Sequence, residues 1–160
     1  MRRLLLALPL LAGCPTSETP GEPTVVYAFE GDVLEQEPND SPEQAQDLGT
    51  PRIPHAVTGS ASACGSNGTL EGADTDWLLL RPANGAALWL ALDMWEGDLD
   101  LAVVDAAGEV VAESDTPGVD DEALLIALDP QEDWLLRIRC AAGNPGALWR
   151  LRIAAPTPTP

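Results

Sequence analysis

Turn-forming residues break this chain so often that nothing beyond residue 50 is long enough for a substantial helix. Gly65-Ser66-Asn67-Gly68, Ala106-Ala107-Gly108, Asp129-Pro130-Gln131-Glu132 and Gly143-Asn144-Pro145-Gly146 each carry the residues that tight turns require. Between them lie short apolar runs, several with a period of two, as in a strand with one buried face. The expected strands are His55 to Ala63, Trp77 to Arg81, Ala87 to Met94, Leu99 to Asp105, Val110 to Glu113, Leu124 to Leu128, Trp134 to Cys140 and Leu148 to Ile153. About eight short strands at this spacing predict an all-β domain, an antiparallel β-sandwich.

The last two strands alternate most cleanly. Trp134, Leu136, Ile138 and Cys140 share one face, with Arg137 and Arg139 on the other. Trp149, Leu151 and Ile153 then face in, and Arg150 and Arg152 face out. The short connection between the runs predicts a hairpin, which would gather four arginines on one outer surface. Such a surface either pairs with nearby acids, at little gain each, or receives a polar or acidic ligand. In the Ala87 to Met94 run, Trp89 opposes the face of Leu88, Leu90 and Leu92, making it a candidate exposed aromatic.

Ahead of the strands, Glu35 to Leu48 is the most distinctive stretch. Glu35, Glu37 and Asn39 alternate along an extended acidic run and so point to one side. Ser41, Pro42 and Gln44 then suit the N-cap, first position and capping box of a short helix. Asp40 would lie near its positive end.

The N-terminus carries an address. Arg2-Arg3 precede an apolar run, Leu4 to Leu11, that is too short to span a bilayer. Small residues then lead directly into Cys14. This resembles a bacterial lipoprotein signal, covering residues 1–13, with Cys14 as the acylated first residue of the mature chain; the alternative is an ordinary secretory signal. Several acyl chains on Cys14 would give stable anchoring in a lipid bilayer. Pro15 is not the aspartate associated with inner-membrane retention, so the expected location is the cell envelope, at the outer membrane if the cell is diderm. Residues 14–32, rich in Pro, Thr, Glu and Gly, form a tether in which Val25 to Phe29 is a small apolar island. Residues 155–160 form a disordered tail.

Removal of Arg2 and Arg3 leaves 26 acids against 8 − 2 = 6 bases, a formal charge of −20. Such a chain repels nucleic acid, which excludes DNA or RNA as partner. Once Cys14 is acylated, Cys64 and Cys140 remain, and export permits a disulfide between them. The other reading is two buried thiols.

A set of short motifs then occurs in order: Glu37-Pro38-Asn39-Asp40-Ser41, Ala45, Leu48, Gly59, Asp74-Thr75-Asp76-Trp77, Asp98-Leu99-Asp100-Leu101, Asp105-Ala106-Ala107-Gly108, Trp134-Leu135-Leu136-Arg137-Ile138 and Trp149-Arg150-Leu151. Together they resemble the bacterial pre-peptidase C-terminal domain, over residues 33–154. The resemblance implies a non-catalytic, jelly-roll-like β-sandwich of the kind appended to secreted proteases. No protease precedes it here, so no role in protease maturation is expected.

Some relatives, the collagen-binding domains of clostridial collagenases, bind calcium through an E-x-E-x-N-D segment and acids beside a D-x-D-aromatic strand. The resemblance therefore implies a calcium site made of Glu35, Glu37, Asn39, Asp40, Asp74 and Asp76. All six side chains supply oxygen, as calcium requires. The alternative is that Asn39 and Asp40 cap turns and Asp76 opens a strand. Asp98 and Asp100, a second acidic pair, are expected at a turn and strand edge.

An enzyme is not expected. The single histidine, His55, is read as a loop residue, and no nucleophile motif, phosphate loop or zinc cluster appears. Two functions remain: an envelope module binding protein or polysaccharide, or a structural spacer in an envelope or secretion assembly.

Overall fold

A computed structural model describes residues 32–65, 71–118, 120–143 and 146–156. The signal sequence 1–13, the lipidation residue Cys14, residues 14–31 of the tether and the last four residues of the tail lie outside the described residues.

Among the described residues, ten strands form two five-stranded sheets. They are β1 (Val33–Leu34), β2 (Gln46–Gly49), β3 (His55–Ala61), β4 (Thr75–Leu80), β5 (Ala87–Met94), β6 (Asp98–Val104), β7 (Val110–Ser114), β8 (Glu122–Ala127), β9 (Trp134–Ala142) and β10 (Ala147–Ala154). One sheet has the order β1-β3-β10-β5-β8 and the other β2-β4-β9-β6-β7. The apolar faces meet in one core that includes Val57, Leu78, Leu90, Leu92, Leu99, Leu101, Leu136, Ile138, Trp149, Leu151 and Ile153, all essentially inaccessible. The protein is an all-β sandwich, with two strands beyond the expected eight. The extra pair, β1 and β2, are too short to display a period in sequence.

Both of these strands also depart from antiparallel pairing. β1 runs parallel to β3, and β2 runs parallel to β4. The acidic run carries the chain from the edge of one sheet to the edge of the other, so each short strand lies beside a partner of the same direction. The helix between them is a single 3-10 turn, Pro42–Gln44. Ser41 makes no side-chain bond to the backbone there, and its hydroxyl meets Gln44 Oε1 at 3.3 Å instead. Ala45 is already extended, because Gln46–Gly49 is pulled into the sheet against Leu78 to Leu80. Pairing with β4 therefore outcompetes the capping box.

The expected hairpin of the last two strands does not form. β9 pairs with β4 and β6, whereas β10 pairs with β3 and β5 in the opposite sheet. The two strands therefore lie on opposite sides of the core. The inward faces are as expected, but Trp149 and Leu136 enter the core from opposite sheets rather than lying side by side in one. Arg137 and Arg139 consequently sit on one outer face of the sandwich, and Arg150 and Arg152 on the other. Among the described residues, only β6 and β7 are consecutive strands paired in one sheet; Gly108, at φ 85°, closes their turn while Asp105 Oδ1 accepts from the Ala107 and Glu109 amides.

Two smaller expectations also change. His55 is the first residue of β3, half-buried, rather than part of a loop. Asp100 lies within β6, between β7 and β9, buried and ion-paired to Arg139 at 2.7 Å. It is not at a sheet edge.

Candidate metal centre

β4 begins with Thr75-Asp76-Trp77-Leu78, and its alternation sends Asp76 and Leu78 inward. Asp76 is thus a carboxylate placed on the core face at the end of a strand, and it is 1% exposed. Asp74 is held just before the strand. Its backbone N–H donates to Ala63 O, its carbonyl accepts from the Cys140 N–H, and its carboxylate accepts from the Ser62 and Thr75 amides.

The disulfide fixes the same corner. Cys64 and Cys140 are bridged, with Cα atoms 4.7 Å apart, and the Gly65 N–H donates to Cys140 O at 2.9 Å.

The acidic run arrives from the other side. Glu35 N–H donates to Thr58 O, extending the β1 pairing by one residue. Glu35 Oε2 then accepts from the Ser60 N–H at 2.9 Å, and Oε1 accepts from Asn39 Nδ2 at 2.9 Å. Glu37 Oε2 accepts from the Asn39 N–H, and the Asn39 carbonyl accepts from the Trp77 N–H at 3.0 Å. Asn39 is therefore tied to both acids of its own segment and to β4. It is completely buried.

Gly59 makes this approach possible. A Cβ at that position would overlap both the Glu35 carboxylate and Cζ2 of Trp149. Only hydrogen at Gly59 lets the carboxylate and the indole come together over β3.

The result brings all six expected residues to one end of the sandwich. Glu35, Glu37 and Asp76 form one group of oxygens within 4.8 Å of one another, and Glu37, Asp40 and Asp74 form a second. Glu37 belongs to both. Burial, then the charge of Glu35, then Asp74 push the Asp76 carboxyl up to about 10, against a hydrogen bond from Trp149 Nε1 that favours the anion. Glu37 is likewise raised by burial and by Glu35, Asp40 and Asp74.

Two buried oxygens here have no hydrogen-bond partner among the described residues: Asn39 Oδ1 and Asp76 Oδ1. A buried acceptor left unpaired costs about 1–3 kcal/mol. Five carboxylates and an amide oxygen, with the amide oxygen and one carboxylate oxygen among them unpaired, are what a hard cation with six to eight oxygen ligands would satisfy. The residues present fit calcium.

The arginines and Trp89 do not join this centre. Arg137 pairs with Glu113 at 2.8 Å, Arg139 with Asp100, Arg150 with Asp32 at 2.6 Å, and Arg152 with Asp93. The expected common surface of Arg137, Arg139, Arg150, Arg152 and Trp89 is thus divided: the first two belong to the β9 sheet, and the others to the β10 sheet. Sequence alternation could have suggested Asp93, which sits opposite Arg150 on β5. It did not reveal Glu122, fully buried at the start of β8, whose carboxylate accepts from the Ser114 hydroxyl and the Thr116 amide.

Fold and site together define a two-sheet β-sandwich with a cluster of acidic side chains, compatible with calcium, at one end. The fold is that of a pre-peptidase C-terminal domain: the chain is similar to the pre-peptidase C-terminal domain of collagenase from Bacillus anthracis, with a TM-score of 0.51 and 14% identity over 72% of this chain and 99% of that one. No family model and no curated protein matches the sequence.

Proposed function

We propose that this protein is a non-catalytic binding module of the bacterial envelope, held to a bilayer by acylated Cys14 and locked in shape by calcium. The observation that carries the calcium reading is the pair of buried, unpartnered oxygens, Asn39 Oδ1 and Asp76 Oδ1, within a cluster of five carboxylates. Without a cation, these acids repel one another in a chain already strongly negative. A bound ion reverses that sign and joins the Glu35–Asp40 segment to β3 and β4. The ion's role in this reading is structural: it joins groups that already orient one another by hydrogen bonds.

Binding of a protein or polysaccharide is favoured over a purely structural spacer by Trp89, a large aromatic 42% exposed on an outer face and unnecessary to the core. The test is calorimetry on the full chain in nonionic detergent. Calcium at a hundredfold excess over its Kd stabilises by about 2.7 kcal/mol, a rise in Tm of roughly 10 °C for a domain of this size. Asp40→Ala and Asp76→Ala abolish that rise. Identical melting curves in millimolar calcium and in chelator would reduce the acidic segment to a capped entry to the domain.

A further inference from the structure

The geometry points to a subsite for a neutral sugar on the outer face of the β10 sheet, centred on the Trp89 indole. It deepens the binding-module reading above and rests on it. Trp89 stands on β5 opposite Ala154 of β10 and Leu125 of β8. Beside it is a groove of about 360 Å³ whose walls include Pro54, His55, Arg152 and Ala154. Small residues at Ala56 and Ala154 keep the floor low, so the indole forms one wall of the groove.

A sugar ring offers an apolar C–H face and a rim of hydroxyls that both donate and accept. The groove matches both parts. The indole provides a flat apolar surface. The Arg152 side chain is 48% exposed, and its pairing with Asp93 occupies only part of a five-donor guanidinium. The His55 ring adds a polar group beside it. A mostly apolar wall with a few placed polar groups is the usual make-up of a small-molecule site.

Charge selects the kind of sugar. The chain as a whole repels polyanions, yet each charged side chain lining this groove is paired, Arg150 with Asp32 inside it and Arg152 with Asp93 just beyond its wall. Neither an acidic nor a basic ligand gains there, and an uncharged saccharide loses nothing. A stable protein interface needs about 800 Å² per partner. The groove is narrower, and the ion pairs interrupt the face around it.

The experiment is affinity electrophoresis of the full chain in gels containing dextran, laminarin, galactomannan or xylan, with alginate as a polyanionic control. At least one neutral polysaccharide retards migration and alginate does not. Trp89→Ala weakens that retardation about tenfold, the loss expected for removing an aromatic anchor, while Trp89→Phe falls between. Lack of retardation by every neutral polysaccharide, equal retardation by alginate, or wild-type migration of Trp89→Ala each overturns the subsite. If sedimentation instead shows a dimer that Trp89→Ala dissociates, the face is a protein interface and the sugar assignment is wrong. The calcium-dependent rise in Tm is read separately on the same samples, so the subsite can fail while the calcium-locked module stands.

Discussion

Trp149 Nε1 donates a 2.9 Å hydrogen bond to Asp76 Oδ2, tying the apolar core to the acidic cluster. Trp149 is fully buried on β10, and Asp76 lies on β4 of the facing sheet. The bond therefore crosses the sandwich. It orients a carboxylate that burial discourages from ionising, and its other oxygen has no hydrogen-bond partner among the described residues.

Trp149→Phe removes this donor while keeping most of the packing. It leaves a buried carboxylate oxygen unpaired and a small void, so stability falls by about 1–3 kcal/mol. Chemical denaturation measures the loss. Calcium affinity, followed by titration calorimetry, falls with it, which a packing defect remote from the cluster would not produce.

Gly59→Ala places a methyl group against both Trp149 and the Glu35 carboxylate. The Glu35 carboxylate, held by the Ser60 amide and Asn39 Nδ2, on one side and a core indole on the other leave little room to yield, and overpacking of this kind costs typically about 1–3 kcal/mol. The variant should melt lower than wild type in chelator and show a smaller rise with calcium. An unchanged response would mean that Glu35 does not belong to the cation site.

Reducing the Cys64–Cys140 disulfide releases a loop closed over a sequence separation of 76. In the chain-entropy model that costs about 4 kcal/mol. Denaturation with and without reductant gives the value. The Cys140 N–H also holds the Asp74 carbonyl, so the reduced protein should bind calcium more weakly even where it remains folded.

The Asp32–Arg150 pair predicts a pH dependence. Hydrogen bonds from Arg150, then Thr58, hold the Asp32 carboxyl below its ordinary value of 3.8. A carboxylate depressed in the folded state contributes its stability above the unfolded value and loses it as pH falls through the folded one. The advantage of wild type over Asp32→Asn should be full at neutral pH and vanish only below about pH 4. An advantage that persists under strong acid would assign it to packing.

Replacing Cys14 with Ser tests the anchor. The variant should leave the precursor unprocessed or release soluble protein, whereas the wild type fractionates with membranes. Unchanged fractionation, with no lipid mass on the N-terminal peptide, would end the lipoprotein reading.

Much of the fold was legible because alternation is a local property. Trp149, Leu151 and Ile153 against Arg150 and Arg152 show a buried face whatever strand lies beside them. The six oxygen-bearing residues were legible only through resemblance to a family, since nothing in the spacing of Asn39 and Asp76 says that they meet. Gly59 was visible as a letter in a motif, but its reason, the approach of Glu35 to Trp149, is a distance.

By itself, then, the sequence determined the strand class, the turns and the inward side of most strands, because side-chain direction along a strand follows from neighbours one and two residues away. Tertiary structure alone decided that β9 and β10 lie in different sheets, that β1 and β2 run parallel to their partners, and that Arg137, Arg139, Arg150 and Arg152 are each ion-paired. Alternation is the same for a hairpin and for two strands on opposite sides of the core. The choice between them rests on how ten strands together bury one apolar interior, a property that no single run of residues carries.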